Sequence, residues 1–228
     1  MAYEAKIVLD SVGSNGARLT TFELEYPRIV HAELMTHRVF CLAGETGLHK
    51  QIANRAAELG MFITVVVTAT EWDNFFALRD HAAAQPELAD VAGKAHRLWL
   101  KSSPQHIQSG MWHLPYVTDR DYAQCFGGYD EDQICRISIG RCAAVSYLNQ
   151  DKRDPPADIA RADKLAAAGH MSPFEHVAQA LTWEEWGRYS REASLLWTHD
   201  RVPVGNLWGW KQYRKNVPNE HDFSRVGK

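Results

Sequence analysis

The chain has 228 residues, 45% of them hydrophobic and 23% charged, with a formal net charge of -3. That is an ordinary globular balance, long enough to bury a core. The slight acidity argues against a life on duplex nucleic acid. The longest apolar run, Met61 to Val67, is far too short to span a membrane. The start, MAYEAKIVLD, lacks a basic region followed by a long apolar stretch, so no secretory signal is read there. Cys41, Cys125, Cys135 and Cys142 form no C-x-x-C pair, which points to a reducing cytoplasm. His31, His37 and His49 have no paired ligand spacing, so no metal site is expected.

In chain order, residues 4–10 and 17–25 alternate apolar and polar around Gly13-Ser14-Asn15-Gly16, a strand, turn, strand signal. Pro27 stands where a helix can begin, followed by Ile29, Val30, Ala32, Leu34 and Met35 at roughly helical spacing. Residues 41–47, CLAGETG, break that pattern, and it returns from Leu48 to Leu59. The β-branched run MFITVVVTA at 61–69 predicts a buried strand. Thr70 is placed to cap a long helix from Glu71 to about Lys101, with a break near Pro86. Residues 102–129 read as loop. Helices follow at 131–148 and 156–168, the second stopped by Gly169. Residues 177–183 and 193–198 read as short strands. With no repeat and no linker, residues 1–228 read as one α+β domain of mixed helices and antiparallel sheet.

Three segments carry candidate chemistry. One is Glu33-Leu34-Met35-Thr36-His37-Arg38. A second joins Gln51–Arg55 to Trp72-Asp73-Asn74-Phe75-Phe76-Ala77-Leu78-Arg79. The third is Gly169-His170-Met171-Ser172-Pro173-Phe174-Glu175-His176, preceded by Ala144-Val145-Ser146-Tyr147. Singly, each has a plain structural explanation. An arbitrary Arg is usually a solvated surface charge. His37 suits a helix end, His170 can simply follow a helix cap, and His176 suits a satisfied core position. Trp72, Phe75 and Phe76 suit a core better than a cofactor box. Together, several Arg, an Asn and several His in structured apolar surroundings suit a site for a phosphate and a planar heterocycle.

The third segment resembles the G-H-x-S/T-P-F-E-H stretch of flavin-dependent thymidylate synthases. The first resembles the entry to that family's R-H-R signature. The second resembles the helix that supplies an Asn and an Arg to flavin and nucleotide. The motif order and W-D-N-F-F-x-L-R resemble a circularly permuted, phage-type branch. The resemblance covers most of residues 20–215. It implies the family's fold and its reaction, methylation of dUMP to dTMP with 5,10-methylenetetrahydrofolate, FAD and NAD(P)H, NADPH included, with no cysteine nucleophile. It implies Arg79 as the residue activating the pyrimidine. Glu33, Arg55 and Arg79 would contact the nucleotide, and His37, Arg38, Asn74, Ser146, His170 and Ser172 the flavin and folate side. It further implies a homotetramer with sites between subunits, and neither nucleic acid nor membrane as partner.

The chain departs from that pattern. Thr36 and Ala144 replace two family Arg residues. After Arg38-Val39-Phe40 the helical stretch bearing further Ser and Arg residues is missing. In its place stands Cys41-Leu42-Ala43-Gly44-Glu45-Thr46, which resembles the opening block of inteins and implies an intein remnant at 41–46 within an internal deletion. Two alternatives therefore stay open: a catalytically impaired relic retaining the fold and weak FAD binding, and a non-enzymatic binding module.

Overall fold

The computed structural model describes residues 3–31, 41–43, 62–125, 128–145, 154–196 and 205–220. Its first layer is a five-stranded sheet in the order β3-β4-β2-β1-β5. β1 (Glu4–Gly13) and β2 (Arg18–Pro27) form the expected hairpin. Gly16 supplies a φ of 76° in its turn, a conformation that costs a glycine little. β4 (Phe62–Ala69) pairs antiparallel with β2 over its whole length. β3 (Cys41–Ala43) adds to the outer edge of β4. β5 (Gln105–Ile107) runs parallel to β1.

The predicted long helix from Glu71 to Lys101 is instead two, α1 (Trp72–Arg79) and α2 (Pro86–Lys101). Pro86 occupies the first turn of α2, where the missing N–H leaves no orphan. Thr70 does not cap α1; its hydroxyl accepts from the Trp208 backbone N–H at 3.2 Å. Both helices lie on one face of the sheet. Their Trp72, Phe75, Phe76, Leu88, Val91 and Ala95 form a single core with Phe22, Leu24, Tyr26, Val65, Val67 and Ala69. The strand residues of that set alternate along β2 and β4, as one face of a pleat must.

The expected loop over 102–129 contains β5, β6 (Trp112–His113) and α3 (Asp119–Cys125). α4 (Glu131–Ala143) opens on a capping box between Asp130 and Gln133, and ends five residues before the predicted boundary at 148. α5 (Pro155–Ala167) packs on α4 so closely that a Cβ at Gly140 would stand 2.2 Å from the Asp158 carbonyl oxygen. Buried Arg141 fastens these helices, donating to Asp121 at 2.7 Å, to Asp158 at 2.9 Å and to the Tyr116 carbonyl at 2.8 Å. A buried cation with fewer partners would be costly.

β7 (Ala178–Ala180) is the predicted strand of 177–183, shortened. It joins β6 and β8 (Trp210–Gln212) in a second antiparallel sheet. Of the strand predicted at 193–198, residues 193–196 are helical instead, the end of α6 (Trp183–Leu196), and 197–198 lie outside the described residues. That helix opens on a capping box. The Thr182 hydroxyl accepts from Glu185 N–H at 3.1 Å, and the Glu185 carboxylate accepts from Thr182 N–H at 2.9 Å. The described residues are thus mixed α+β with largely antiparallel pairing, and no described helix is long and apolar enough to cross a membrane. The helix predicted over Leu48–Leu59 lies outside the described residues. The one predicted after Pro27 is described only over a 3-10 turn at Arg28–Val30 and the helical His31; the rest of it lies outside the described residues.

Candidate functional site

The segment 169–176 is a rigid corner. α5 ends where Gly169 takes a φ of 74°, and the His170 N–H closes back onto the Leu165 carbonyl at 2.9 Å. This is the glycine-terminated helix stop the sequence announces. Ser172–Glu175 then forms a 3-10 turn with Pro173 near its start. Met171, Pro173 and Phe174 are buried, whereas His170 and Ser172 stay partly exposed. Phe174 lies against Tyr213, ring centroids 6.1 Å apart. The Glu175 carboxylate accepts from Arg214, and its backbone carbonyl accepts from Gln212 Nε2 at 3.3 Å. Arg214 also donates to Glu220 at 2.8 Å, and Lys215 donates to the same carboxylate at 2.7 Å. Burial alone would raise the Glu220 carboxyl, but the Lys215 and Arg214 hydrogen bonds hold it below the usual carboxylate range. The motif is thus clamped from the C-terminal side by charges.

From the inner side it is held by His176. That ring is fully buried, and its Nδ1 lies 3.0 Å from the Thr68 hydroxyl. Thr68 Oγ1 lies 2.7 Å from Thr21 Oγ1, which is 2.8 Å from His113 Nε2. His113 Nδ1 lies 2.8 Å from the Ser11 hydroxyl. All five side chains are buried. They occupy the face of the first sheet opposite α1 and α2, since Thr21 and Thr68 are register partners alternating with Phe22 and Val67. Burial pushes both imidazoles down to about 3; at His113 a nearby Asp10 charge opposes that push and His176 adds to it. Both rings are neutral at ordinary pH. Among the described residues, His176 Nε2 has no hydrogen-bond partner. Beside this chain, buried Tyr116 donates to Glu23 at 2.6 Å from a backbone φ of 63°, which a bulky residue adopts only where its surroundings enforce it.

α1 carries the other described candidates. Asn74 is exposed and Arg79, in the last turn, is half-buried. Trp72, Phe75 and Phe76 of the same helix are core, as expected. Asn74 and Arg79 therefore sit on the helical face of the sheet, and His170 and Ser172 on the layer against its other face. The described part of one chain does not bring the two pairs together. Glu33, His37, Arg38, Arg55 and Ser146 lie outside the described residues. Sequence reading missed Ser11, Thr21, Thr68 and His113 altogether. No spacing rule links positions so far apart, and His113 sits in a stretch rich in Pro and Gly that reads as loop. No protein-family model matches this chain, and comparisons with curated proteins and with solved structures likewise give no match.

Proposed function

We propose that this chain is built on the plan of a flavin-dependent thymidylate synthase, acting on dUMP with FAD, NADPH and 5,10-methylenetetrahydrofolate. The observation that supports this reading is the construction of 169–176. The resemblance rests most heavily on that motif, whose apolar and charged residues hold the corner while His170 and Ser172 are partly exposed. The side-chain types at these positions suit such ligands. Arg79 presents a planar cationic fork for phosphate or a pyrimidine edge, and Asn74, Ser172 and His170 present neutral donors and acceptors. FAD supplies the hydride chemistry when bound; this chain's residues bind and orient. A homotetramer with sites shared between copies accords with Asn74 and Arg79 lying on one face of the sheet and the motif on the other.

The second reading is a catalytically impaired relic, favoured by β3. Residues Cys41–Ala43 form an edge strand where the family signature continues with Ser- and Arg-bearing helix. Each lost charged contact is worth about 1.5–3 kcal/mol, so losing several removes decades of affinity or rate. On this reading FAD binds more weakly than to an intact relative and dUMP is not usefully turned over.

The deciding experiment is equilibrium dialysis against FAD together with a dUMP-to-dTMP assay supplied with FAD, NADPH and methylene-folate. Flavin binding with turnover abolished by Arg79→Ala supports the synthase. Binding without turnover supports the relic. Absence of flavin binding defeats both and leaves a non-enzymatic binding module.

A further inference from the structure

The four contacts linking Ser11, His113, Thr21, Thr68 and His176 measure 2.8, 2.8, 2.7 and 3.0 Å. Each distance requires a proton between the two heavy atoms. A threonine hydroxyl has one proton to give, and a neutral imidazole has one N–H and one bare nitrogen. These counts leave few solutions. If Thr21 donates to Thr68, then Thr68 donates to His176 Nδ1, and His113 must donate to Thr21 from Nε2. His113 Nδ1 then accepts from Ser11, and the proton of His176 resides on Nε2. If instead Thr68 donates to Thr21, every link reverses: both rings carry the proton on Nδ1, and His176 Nε2 is bare. Any other assignment strands a threonine proton or sets two lone pairs against each other. The two arrangements contain the same atoms and the same protons, with every group neutral.

We propose that these five side chains form one proton-ordered chain in which the two histidines share a tautomer, so that Ser11, on β1, sets the hydrogen-bonding polarity of His176 at the foot of the 169–176 corner. The first arrangement prevails. It leaves one buried group unspent among the described residues, the His176 Nε2–H. The second leaves two, the Ser11 hydroxyl proton and the bare His176 Nε2, because Ser11 Oγ then only accepts. Neutrality of both rings, which the scheme requires, follows from their complete burial. His176 is on this view a positioning residue, a buried ring in the same 169–176 corner as His170 and Ser172 whose Nε2 carries a donor. The inference stands whether or not the chain handles flavin.

The test is long-range nitrogen–proton NMR of histidine-labelled full-length protein, which reads which ring nitrogen is protonated. Both His113 and His176 should carry the proton on Nε2 in the unmodified chain. Ser11→Ala removes the donor to His113 Nδ1 and brings the two arrangements to parity. The Nδ1–H form should then rise at both rings together by about tenfold in ratio, the effect of one orphaned buried group. Thr21→Val cuts the chain, so adding Ser11→Ala to it should leave the His176 spectrum unchanged. Opposite tautomers at the two rings, Nδ1–H on either ring of the unmodified chain, or a Ser11→Ala variant that moves His113 but not His176 overturns the proposal. The first two outcomes need no variant, so a substitution that fails to fold does not protect it.

Discussion

The two faces of the five-stranded sheet come from alternate residues of the same strands, β2 and β4 foremost, yet they are stabilised in different ways. One face is hydrocarbon and aromatic ring: Phe22, Leu24, Val65 and Val67 against Trp72, Phe75 and Phe76. The other presents Thr21, Thr68 and Ser11 to two buried imidazoles. Apolar packing is non-directional and grows with area removed from water. The polar face stabilises only while every donor finds its acceptor, and it fixes one arrangement of protons as well as one arrangement of atoms. The lesson is that a run such as FITVVVTA, apolar nearly throughout, need not mean the same environment on both sides.

The contrast can be broken most forcefully on the apolar side. Phe22 is fully buried, with its ring 4.6 Å from that of Trp72 at 70°. Phe22→Ala should cost about 3–5 kcal/mol in urea unfolding; a loss under about 1 kcal/mol would mean that α1 and α2 do not depend on this face.

Acid should act next, and in its mild range chiefly through the polar side. His113 and His176 titrate near 6.5 when unfolded and near 3 when folded. Between those values the unfolded chain binds more protons, so stability is fully present above 6.5 and is lost as pH falls toward 3. The slope should approach about 1.4 kcal/mol per ring per pH unit, with His31, also lowered by burial and by Arg28, adding to it. Urea midpoints at pH 7 and pH 5.5 measure this, and a flat profile there would show that the rings are not buried neutral.

A smaller and more selective break is Thr21→Val, which keeps the shape and removes the central hydroxyl. It should cost about 1–3 kcal/mol. Combined with Thr68→Val the loss should fall short of the sum of the two, because both belong to one network. Strict additivity would deny the network.

Least of all should Asn74→Ala disturb either face, because Asn74 is exposed on α1. Stability should stay within about 0.5 kcal/mol, while FAD affinity under the proposed function should fall about tenfold. Unchanged affinity would remove Asn74 from the flavin contacts.

Much of the scaffold was legible because its signals are local. The Gly13–Gly16 turn, the β-branched run at 62–69 and the glycine stop after α5 each work within a few residues. The misread residues 193–196 show the limit: Ala-Ser-Leu-Leu is a short apolar run with no decisive period, and the helix that contains it is opened by Thr182 with Glu185, two turns or more earlier. Of the candidate site, the 169–176 corner was legible as a motif and the core role of Trp72, Phe75 and Phe76 as pattern. The proton-ordered chain was not, because its members, from Ser11 to His176, meet only through strand register.

β3 has a consequence of another kind. Its three residues cover only the Val66–Thr68 part of β4's outer edge, and along Phe62–Val65 that outer edge has no strand beside it among the described residues. An uncovered β-branched edge is a template for pairing with another chain. Whatever the origin of Cys41-Leu42-Ala43, the tripeptide works as an edge guard. Its loss would be felt first as association between molecules, before any change within one.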